Sequence, residues 1–332
     1  MTVFCALTII GKHFFSSARI DSSKYRSFAE PQVCKEALMK ILLADSFFPD
    51  LPRRLSRFGE VYSDMGRLSE AEVLIVRSKT RVDATMMDSA PGLKYIIRGG
   101  VGVDTIDVES ARARGIQVDN TPEASSVAVA ELAFALMLAL PNHISLADSS
   151  TREGRWLKKE LERSELYGKT LGLIGLGRIA RELAFRAKAF GMRVVAYDLY
   201  VESSELAVLK SLEEVLAESD YISLHTPLTQ ETRGMINAQR INLMKDGARL
   251  INTCRGEVVV EEAIAAALIS GKLAGYATDV YRKEPPGTSP LFSAPNLLCT
   301  PHLGASTAEN LLRLGEAIEK RLAAYSDKAK EE

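Results

Sequence analysis

The sequence has little of what marks disulfide-bonded, metal-binding or nucleic-acid-binding proteins. Its 332 residues include four cysteines, one tryptophan and four histidines, and 42 basic side chains nearly balance 43 acidic ones. The cysteines (Cys5, Cys34, Cys254 and Cys299) are far apart without metal-ligand spacing, so we expect no metal site and reduced thiols in a cytoplasmic compartment. A net charge of −1 offers no basic surface to nucleic acid or an anionic membrane.

Long hydrophobic runs are also missing. The most apolar stretch, "VAVAELAFALMLAL" at 127–140, contains Glu131 and stops before Pro141, whereas a membrane span needs about 20 apolar residues. We interpret it as a helix buried on all sides, between domains or subunits, and its apolar surface favours a homodimer.

Residues 1–38 show neither alternation nor repeats, and the first residues lack the basic side chains of a secretory signal. We predict a flexible leader, with Met39 as an alternative start.

From Met39 onward, strand-like apolar runs alternate with helix-like segments, which indicates parallel sheets in an α/β protein. A first series has four candidate strands (40–45, 71–78, 93–100 and 116–120). A second series has six (170–175, 193–198, 221–225, 248–254, 273–279 and 297–302), as in a doubly wound Rossmann domain. An amphipathic helix is predicted at 306–326 and could return to the first series.

A glycine-rich turn follows the first strand of the second series, in "TLGLIGLGRIA". Gly175 would permit a tight turn, Gly177 would let the backbone approach a pyrophosphate at a helix N-terminus, and Ala180 would pack the helix on the strand. Asp198 ends the next strand, where a carboxylate accepts the ribose hydroxyls of NAD and repels the additional phosphate of NADP. The pattern predicts NAD binding; the alternative is a structural turn with incidental glycines.

Three polar side chains after later strands are candidates for chemistry on a 2-hydroxy or 2-keto acid. Arg255 could hold a carboxylate, His302 could transfer a proton near neutral pH, and Glu284 could orient the imidazole and raise its pKa. On spacing alone, Arg255 could equally be a surface arginine, His225 competes with His302, and Glu284 is better explained as a loop acid that caps a turn.

Four motifs in this order resemble the D-isomer-specific 2-hydroxyacid dehydrogenase family: "GKTLGLIGLGRIARELAFRAKAFGMRVVAYD", "INTCRGEVV", "ATDVYRKEPP" and "TPHLGAST". The resemblance covers Met39 to the end. It implies that Arg255 binds the substrate carboxylate and polarises the carbonyl, that His302 is the acid/base, and that Glu284 orients His302. It implies NAD-dependent oxidation of a D-2-hydroxy acid.

For the substrate we favour 3-phosphoglycerate, oxidised in serine synthesis. The alternatives are a hydroxypyruvate or glyoxylate reductase, a D-lactate dehydrogenase and, outside the enzymes, an NAD-sensing protein similar to the family's corepressors.

The resemblance also assigns binding residues. Those for NAD are Gly175, Gly177, Arg178, Ile179, Asp198, Thr226, Thr253, Cys254, Asp279, Gly304 and Ala305. Those for the substrate are Arg77, Ser78, Gly99, Gly100 and Val101, with glycine amides binding an anion and Arg77, together with Lys79, reaching a distal phosphate. The alternative is that Arg77 and Lys79 are solvated charges.

We therefore predict two doubly wound parallel-sheet domains with a cleft between them. A flavodoxin-like substrate domain would comprise 39–140 and 307–332, and a Rossmann NAD-binding domain would comprise 141–306. Val260 stands where the family often has Asp, which we expect to weaken a helix cap. The chain ends after the closing helix, so we expect the short form without a C-terminal regulatory domain.

Overall fold

The computed structural model describes residues 39–331, with side chains up to Lys328. The predicted leader, Cys5 and Cys34 lie outside the described residues. Within them, Cys254 and Cys299 are free thiols.

The first sheet has five parallel strands in the spatial order β2-β1-β3-β4-β5. The strands are β1 (Met39–Leu43), β2 (Gly59–Tyr62), β3 (Val73–Val76), β4 (Tyr95–Arg98) and β5 (Gln117–Asn120). The helices in this part of the chain are α1 (Leu51–Leu55), α2 (Ala84–Asp88) and α3 (Val108–Ala113). This is the flavodoxin-like strand order that the sequence predicted, and apolar side chains cover both faces of the sheet.

The second sheet has seven parallel strands in the order β12-β11-β10-β9-β6-β7-β8. They are β6 (Thr170–Ile174), β7 (Arg193–Tyr197), β8 (Val208–Leu209), β9 (Tyr221–Leu224), β10 (Ala248–Asn252), β11 (Leu273–Thr278) and β12 (Leu297–Cys299). Counted from β6, the first six strands have the 3-2-1-4-5-6 order of dinucleotide-binding folds. Both sheets therefore confirm the predicted fold class.

The remaining helices are α4 (Ser126–Ala139), α5 (Ile144–Arg152), α6 (Arg178–Ala189), α7 (Leu212–Glu218), α8 (Ala238–Leu243), α9 (Glu261–Ile269) and α10 (Ala308–Glu331). Short 3-10 helices lie at Met65–Glu70, Gly256–Val258 and Pro290–Ser293.

Two edge strands were absent from our prediction. β2 has four residues and β8 only two. In β2, Gly59 lies so close to β1 that an added Cβ would be 2.0 Å from the carbonyl oxygen of Met39. Strands this short cannot show a pattern of alternating apolar and polar residues. They form because they pair with the neighbouring strand of the sheet, which local sequence does not reveal.

Two helices determine how the halves of the chain are connected. In α10, Ile318 and Leu322 belong to the core beneath the first sheet, where we expected the tail helix to return. In α4, Ala133 and Met137 pack instead with α6 in the core of the second sheet. Our placing of 126–140 with the first domain is therefore not supported by the packing; the other boundaries stay predictions.

Among the described residues, no single helix is long and apolar enough to cross a membrane. In the described part of the chain, one pair of helices, α4 and α5, has the length and apolar composition of a membrane span when the two are taken together, but the pair is bent by 63° at the break between them.

Candidate active site

The glycine-rich turn has the geometry predicted for it. Gly175 follows β6 with a φ of +91°, and a Cβ there would lie 2.6 Å from the carbonyl oxygen of His225. Gly177 caps α6, and a Cβ at this position would meet no atom within 4 Å, so the space beyond the helix N-terminus is open. Arg178 begins α6, is exposed and has no ion-pair partner among the described residues. The N-terminus can thus receive an anionic group.

The carboxylate of Asp198, at the end of β7, is hydrogen-bonded to the glycine-rich turn. It accepts hydrogen bonds from the backbone N–H groups of Leu176 (2.7 Å), Tyr200 (2.8 Å) and Val201 (3.1 Å). Partial burial raises the pKa of Asp198, but these three donors outweigh it and the pKa lies below its usual value. An ionised acceptor therefore stands beside the open N-terminus of α6.

Two threonine hydroxyls beside this turn are suited to binding a polar ligand. Thr226 follows β9 and Thr253 follows β10, and the Oγ1 atoms of both are buried without a hydrogen-bond partner in the described part of the chain. Buried polar atoms in proteins are usually hydrogen-bonded. The open helix terminus, the ionised Asp198 and these unsatisfied hydroxyls border the carboxyl ends of neighbouring strands, and together they fit a dinucleotide.

Asn252, which the sequence analysis missed, shapes the loop that carries Arg255. Its side-chain oxygen accepts from the backbone N–H and the thiol of Cys254, and its amide donates to the carbonyl oxygen of Arg255 at 2.9 Å. Burial raises the pKa of the Cys254 thiol, so this cysteine stays protonated.

The residue after Arg255, Gly256, has no room for a side chain. A Cβ at Gly256 would lie 2.0 Å from the carbonyl carbon of Tyr281, so only glycine lets this loop lie against the segment that carries Glu284. Arg255 contributes a positive charge that helps to lower the pKa of Glu284. Two groups more than 25 residues apart are thereby brought together.

His302 and Glu284 are in direct contact. Nδ1 of His302 lies 2.6 Å from Oε2 of Glu284, whose other oxygen accepts from the N–H of Tyr281 at 3.1 Å. Burial raises the pKa of Glu284, but the hydrogen bond and charge of His302, with smaller contributions from Tyr281 and Arg255, lower it below its usual value. The other imidazole nitrogen, Nε2, has no partner among the described residues, so it is available to a substrate proton.

The loop around His302 is held by Asp279, a buried carboxylate after β11. It accepts from Oγ1 of Thr300 (2.6 Å) and from the N–H groups of Leu303 (2.7 Å) and Gly304 (2.8 Å). His302 itself has a positive φ of 53°, which non-glycine residues rarely adopt. Asp279 therefore holds the loop that carries His302; the NAD contacts predicted for Asp279, Ile179 and Ala305 stay predictions.

His225, the competitor of His302, is excluded by its surroundings. Its Nε2 lies 2.9 Å from the hydroxyl of Ser223, and enclosure by protein atoms lowers its pKa to about 4. A histidine whose pKa lies this far below neutrality is a weak base, so His302 is better suited than His225 to proton transfer near neutral pH.

The first domain presents the substrate segments differently from our expectation. The N–H of Gly99 donates to the carbonyl oxygen of Val76 and that of Gly100 to the hydroxyl of Thr121, both at 2.8 Å. These two amides are already engaged within the protein, so an anion would have to displace these bonds, and the role of Gly99 and Gly100 in substrate binding stays a prediction. Val101 remains half-exposed beside them.

Arg77 and Ser78 lie at the carboxyl end of β3. Nη1 of Arg77 donates to the carbonyl oxygen of Ser46 at 3.1 Å, whereas Ser78 and Lys79 are exposed. Lys79 has no ion pair among the described residues.

Arg98, at the end of β4, was not among our candidates. Its Nε is buried without a partner in the described residues, and its one hydrogen bond runs from Nη1 to the carbonyl oxygen of Gly99 at 3.1 Å. Burial, together with the nearby positive charge of Arg255, lowers its pKa to about 10. Arg98 is thus a charged guanidinium without a carboxylate partner, close to Arg255. Apolar residues precede it in sequence, and nothing in "YIIRGG" distinguishes it from a strand-end arginine.

Comparisons with known proteins agree with this geometry. A family model described as "D-isomer specific 2-hydroxyacid dehydrogenase, NAD binding domain" matches residues 134–304. A hydroxypyruvate reductase from Thermotoga maritima is 48% identical over 258 residues, which cover 76% of this chain and 84% of that protein. A D-3-phosphoglycerate dehydrogenase from Methanocaldococcus jannaschii is 42% identical over 298 residues, 86% of this chain. The chain spans only 57% of the length of that relative.

A solved structure extends the similarity to both domains. The crystal structure of D-lactate dehydrogenase from Aquifex aeolicus, complexed with NAD and lactic acid, covers 88% of this chain and 97% of its own, with a TM-score of 0.78 and 33% identity. The chain therefore belongs to the D-isomer specific 2-hydroxyacid dehydrogenase family, the NAD-dependent oxidoreductases whose NAD-binding domain it contains.

Proposed function

We propose that this chain oxidises D-3-phosphoglycerate to 3-phosphohydroxypyruvate, as in the first step of serine synthesis. Support comes from the similarity to phosphoglycerate dehydrogenases and from the unpaired guanidinium of Arg98 beside Arg255. A substrate with two anionic groups needs two cations, and a carboxylate on Arg255 leaves Arg98 for the phosphate.

In the proposed reaction, bound NAD would supply the hydride acceptor for C2 of the substrate. Arg255 holds the carboxylate and the oxygen on C2. Nε2 of His302 takes the hydroxyl proton as the C2–H bond breaks, and Glu284 stabilises the resulting imidazolium through Nδ1. The products are the 2-keto acid, the reduced cofactor and one proton. In the reverse direction, His302 returns the proton to the carbonyl oxygen.

Substrate choice can be tested at Arg98. We expect Arg98→Gln to lower kcat/KM for 3-phosphoglycerate by about 10- to 100-fold, because a charge-assisted hydrogen bond contributes about 1.5–3 kcal/mol. Values for glycerate, D-lactate and hydroxypyruvate should change little. Folding should not suffer, since the variant removes a half-buried cation that forms no ion pair with the described residues and whose Nε is buried without a hydrogen-bond partner there. The measurement is steady-state kinetics with all four substrates.

Arg81→Gln is the matched control, since Arg81 is an exposed arginine of the same domain. An equal loss with every substrate, or no preference of the unaltered enzyme for the phosphorylated acid, would remove the support for 3-phosphoglycerate.

Reduction of hydroxypyruvate is the second candidate. The Thermotoga maritima relative is a hydroxypyruvate reductase, and this chain covers most of its length. This function needs Arg255, Glu284 and His302 but no cation for a phosphate. It would be favoured if hydroxypyruvate were the best substrate and Arg98→Gln left its turnover unchanged.

We also propose that the enzyme is a homodimer formed through the face of the second sheet that α4 and α6 cover. Apolar side chains are exposed around these helices: Ile144 (56%), Phe185 (65%) and Tyr167 (77%). Clusters of large exposed apolar side chains mark interaction surfaces more often than free surface.

A further inference from the structure

An ion pair joins the two domains at the candidate active site. Nε and Nη2 of Arg255, after β10, donate to Oδ2 of Asp104 at 2.8 and 2.6 Å. Asp104 lies in the loop after β4, 151 residues away in the chain. The first domain thus contacts the side chain to which we assign the substrate carboxylate.

The pattern of donors on Arg255 leaves room for a substrate. A guanidinium has five N–H groups. Nε and Nη2 each use one on Asp104, and Nη1 uses one on the carbonyl oxygen of Cys254 at 2.6 Å. One N–H remains on each terminal nitrogen, which is the number needed to bind one carboxylate oxygen and the oxygen on C2 of the substrate. Asp104 and Cys254 therefore orient the guanidinium without exhausting it.

The backbone around this pair is adapted to it. A Cβ added to Gly102 would lie 1.6 Å from Nη2 of Arg255 and 2.5 Å from Oδ2 of Asp104. A larger residue at position 102 would displace the pair, so the glycine allows the loop of the first domain to cover it.

Stability alone does not account for the pair. The side chain of Asp104 is 44% exposed and that of Arg255 27%, and ion pairs as accessible as this contribute little to folding. Its geometry matters more, because a misplacement of about 1 Å in a group that binds substrate can slow a reaction by about 100-fold.

We propose that Asp104 is a positioning residue: it holds the guanidinium of Arg255 in the orientation that receives the carboxylate of a 2-hydroxy acid, and it does so across the domain boundary. The inference rests on the proposed role of Arg255. It applies to every 2-hydroxy acid, since all of them share the carboxylate. The opposite possibility is that Asp104 competes with the substrate for Arg255.

Kinetics of Asp104→Ala and Asp104→Asn distinguish these roles. Positioning predicts that Asp104→Ala lowers kcat by about 10- to 100-fold with both 3-phosphoglycerate and D-lactate. The melting temperature and NAD affinity should stay unchanged. Asp104→Asn keeps an accepting oxygen and should recover part of the loss. Unchanged or increased kcat in Asp104→Ala would overturn the proposal in favour of competition, and equal losses in both variants would overturn it in favour of a pure charge effect.

Two further variants separate this inference from the proposed function. Asp88→Ala removes a comparable surface partner, since Asp88 accepts from Nε of Arg114 at 2.8 Å, and should leave kcat unchanged. Arg255→Met should abolish turnover. If Arg255→Met remained active, the proposed role of Arg255 would fail. If Arg255→Met were inactive and Asp104→Ala fully active, only the role of Asp104 would fail.

Discussion

Two histidines, His225 and His302, end similar strand-to-loop segments and have opposite surroundings. His302 is paired with Glu284 and keeps one ring nitrogen free, whereas His225 is enclosed beside Ser223. Spacing left both as candidates because each follows an apolar strand. The charge of the partner and the accessibility of the ring decide between them, and neither can be determined from the neighbouring residues.

Enclosure of His225 predicts that stability falls in mild acid. The pKa of His225 in the folded chain is about 4, against 6.5 for an imidazole in water. The unfolded chain therefore binds more protons, so the contribution is complete above about pH 6.5 and is lost as the pH falls towards 4. The loss is at most about 1.4 kcal/mol per pH unit. Thermal melting of the wild type and His225→Asn between pH 7.5 and 5 should give a flatter dependence for the variant.

His143→Asn is the matched control for that measurement. His143 is half-buried, has a positive φ of 51° that asparagine tolerates, and donates from Nε2 to the carbonyl oxygen of Glu162. This variant shows what the replacement of an imidazole by an amide does to the melting curve elsewhere in the protein. An identical pH dependence in the wild type and His225→Asn would mean that His225 is not the group responsible.

Among the elements, the interior strands and long helices follow local patterns, whereas short edge strands do not. The apolar runs of β3, β6 and β9 are buried along their whole length, so their composition identifies them. β8, with two residues, exists because β7 lies beside it.

At α9, the expected weak cap is present. Val260 occupies the N-cap position and makes no side-chain cap hydrogen bond. We expect Val260→Asp to raise the free energy of unfolding by about 1 kcal/mol, because a carboxylate accepts from the free N–H groups of the first turn. Val260→Ala removes the valine methyl groups without adding an acceptor and should not stabilise. Thermal melting of both variants checks this, and a gain no larger for Asp than for Ala would contradict it.

At the scale of the whole molecule, the proposed dimer can be tested by the mass of the protein particle in solution. Phe185 projects from α6 and is 65% exposed in the isolated chain. Phe185→Glu would bury a charge in the proposed interface, so we expect analytical ultracentrifugation to show a dimer for the wild type and a monomer for the variant. Leu243→Glu is the control for this measurement. Leu243 is an exposed residue of α8, a helix that covers the opposite face of the second sheet, so this variant should remain dimeric. A monomeric wild type would disprove the dimer.

Sequence by itself determined the α/β class, the two parallel sheets and the NAD-binding turn, because these depend on periodicity and on glycine requirements that act over a few residues. Arg255, Glu284 and His302 were singled out by the resemblance of their motifs to the family, since their spacing alone left alternatives open. Tertiary structure decided that Arg98 has no carboxylate partner among residues 39–328, that Asp104 reaches Arg255 and that His225 is surrounded by protein atoms. Each of these depends on which distant segments fold against one another, since Coulomb attraction and burial depend on distance in space and not on position in the chain.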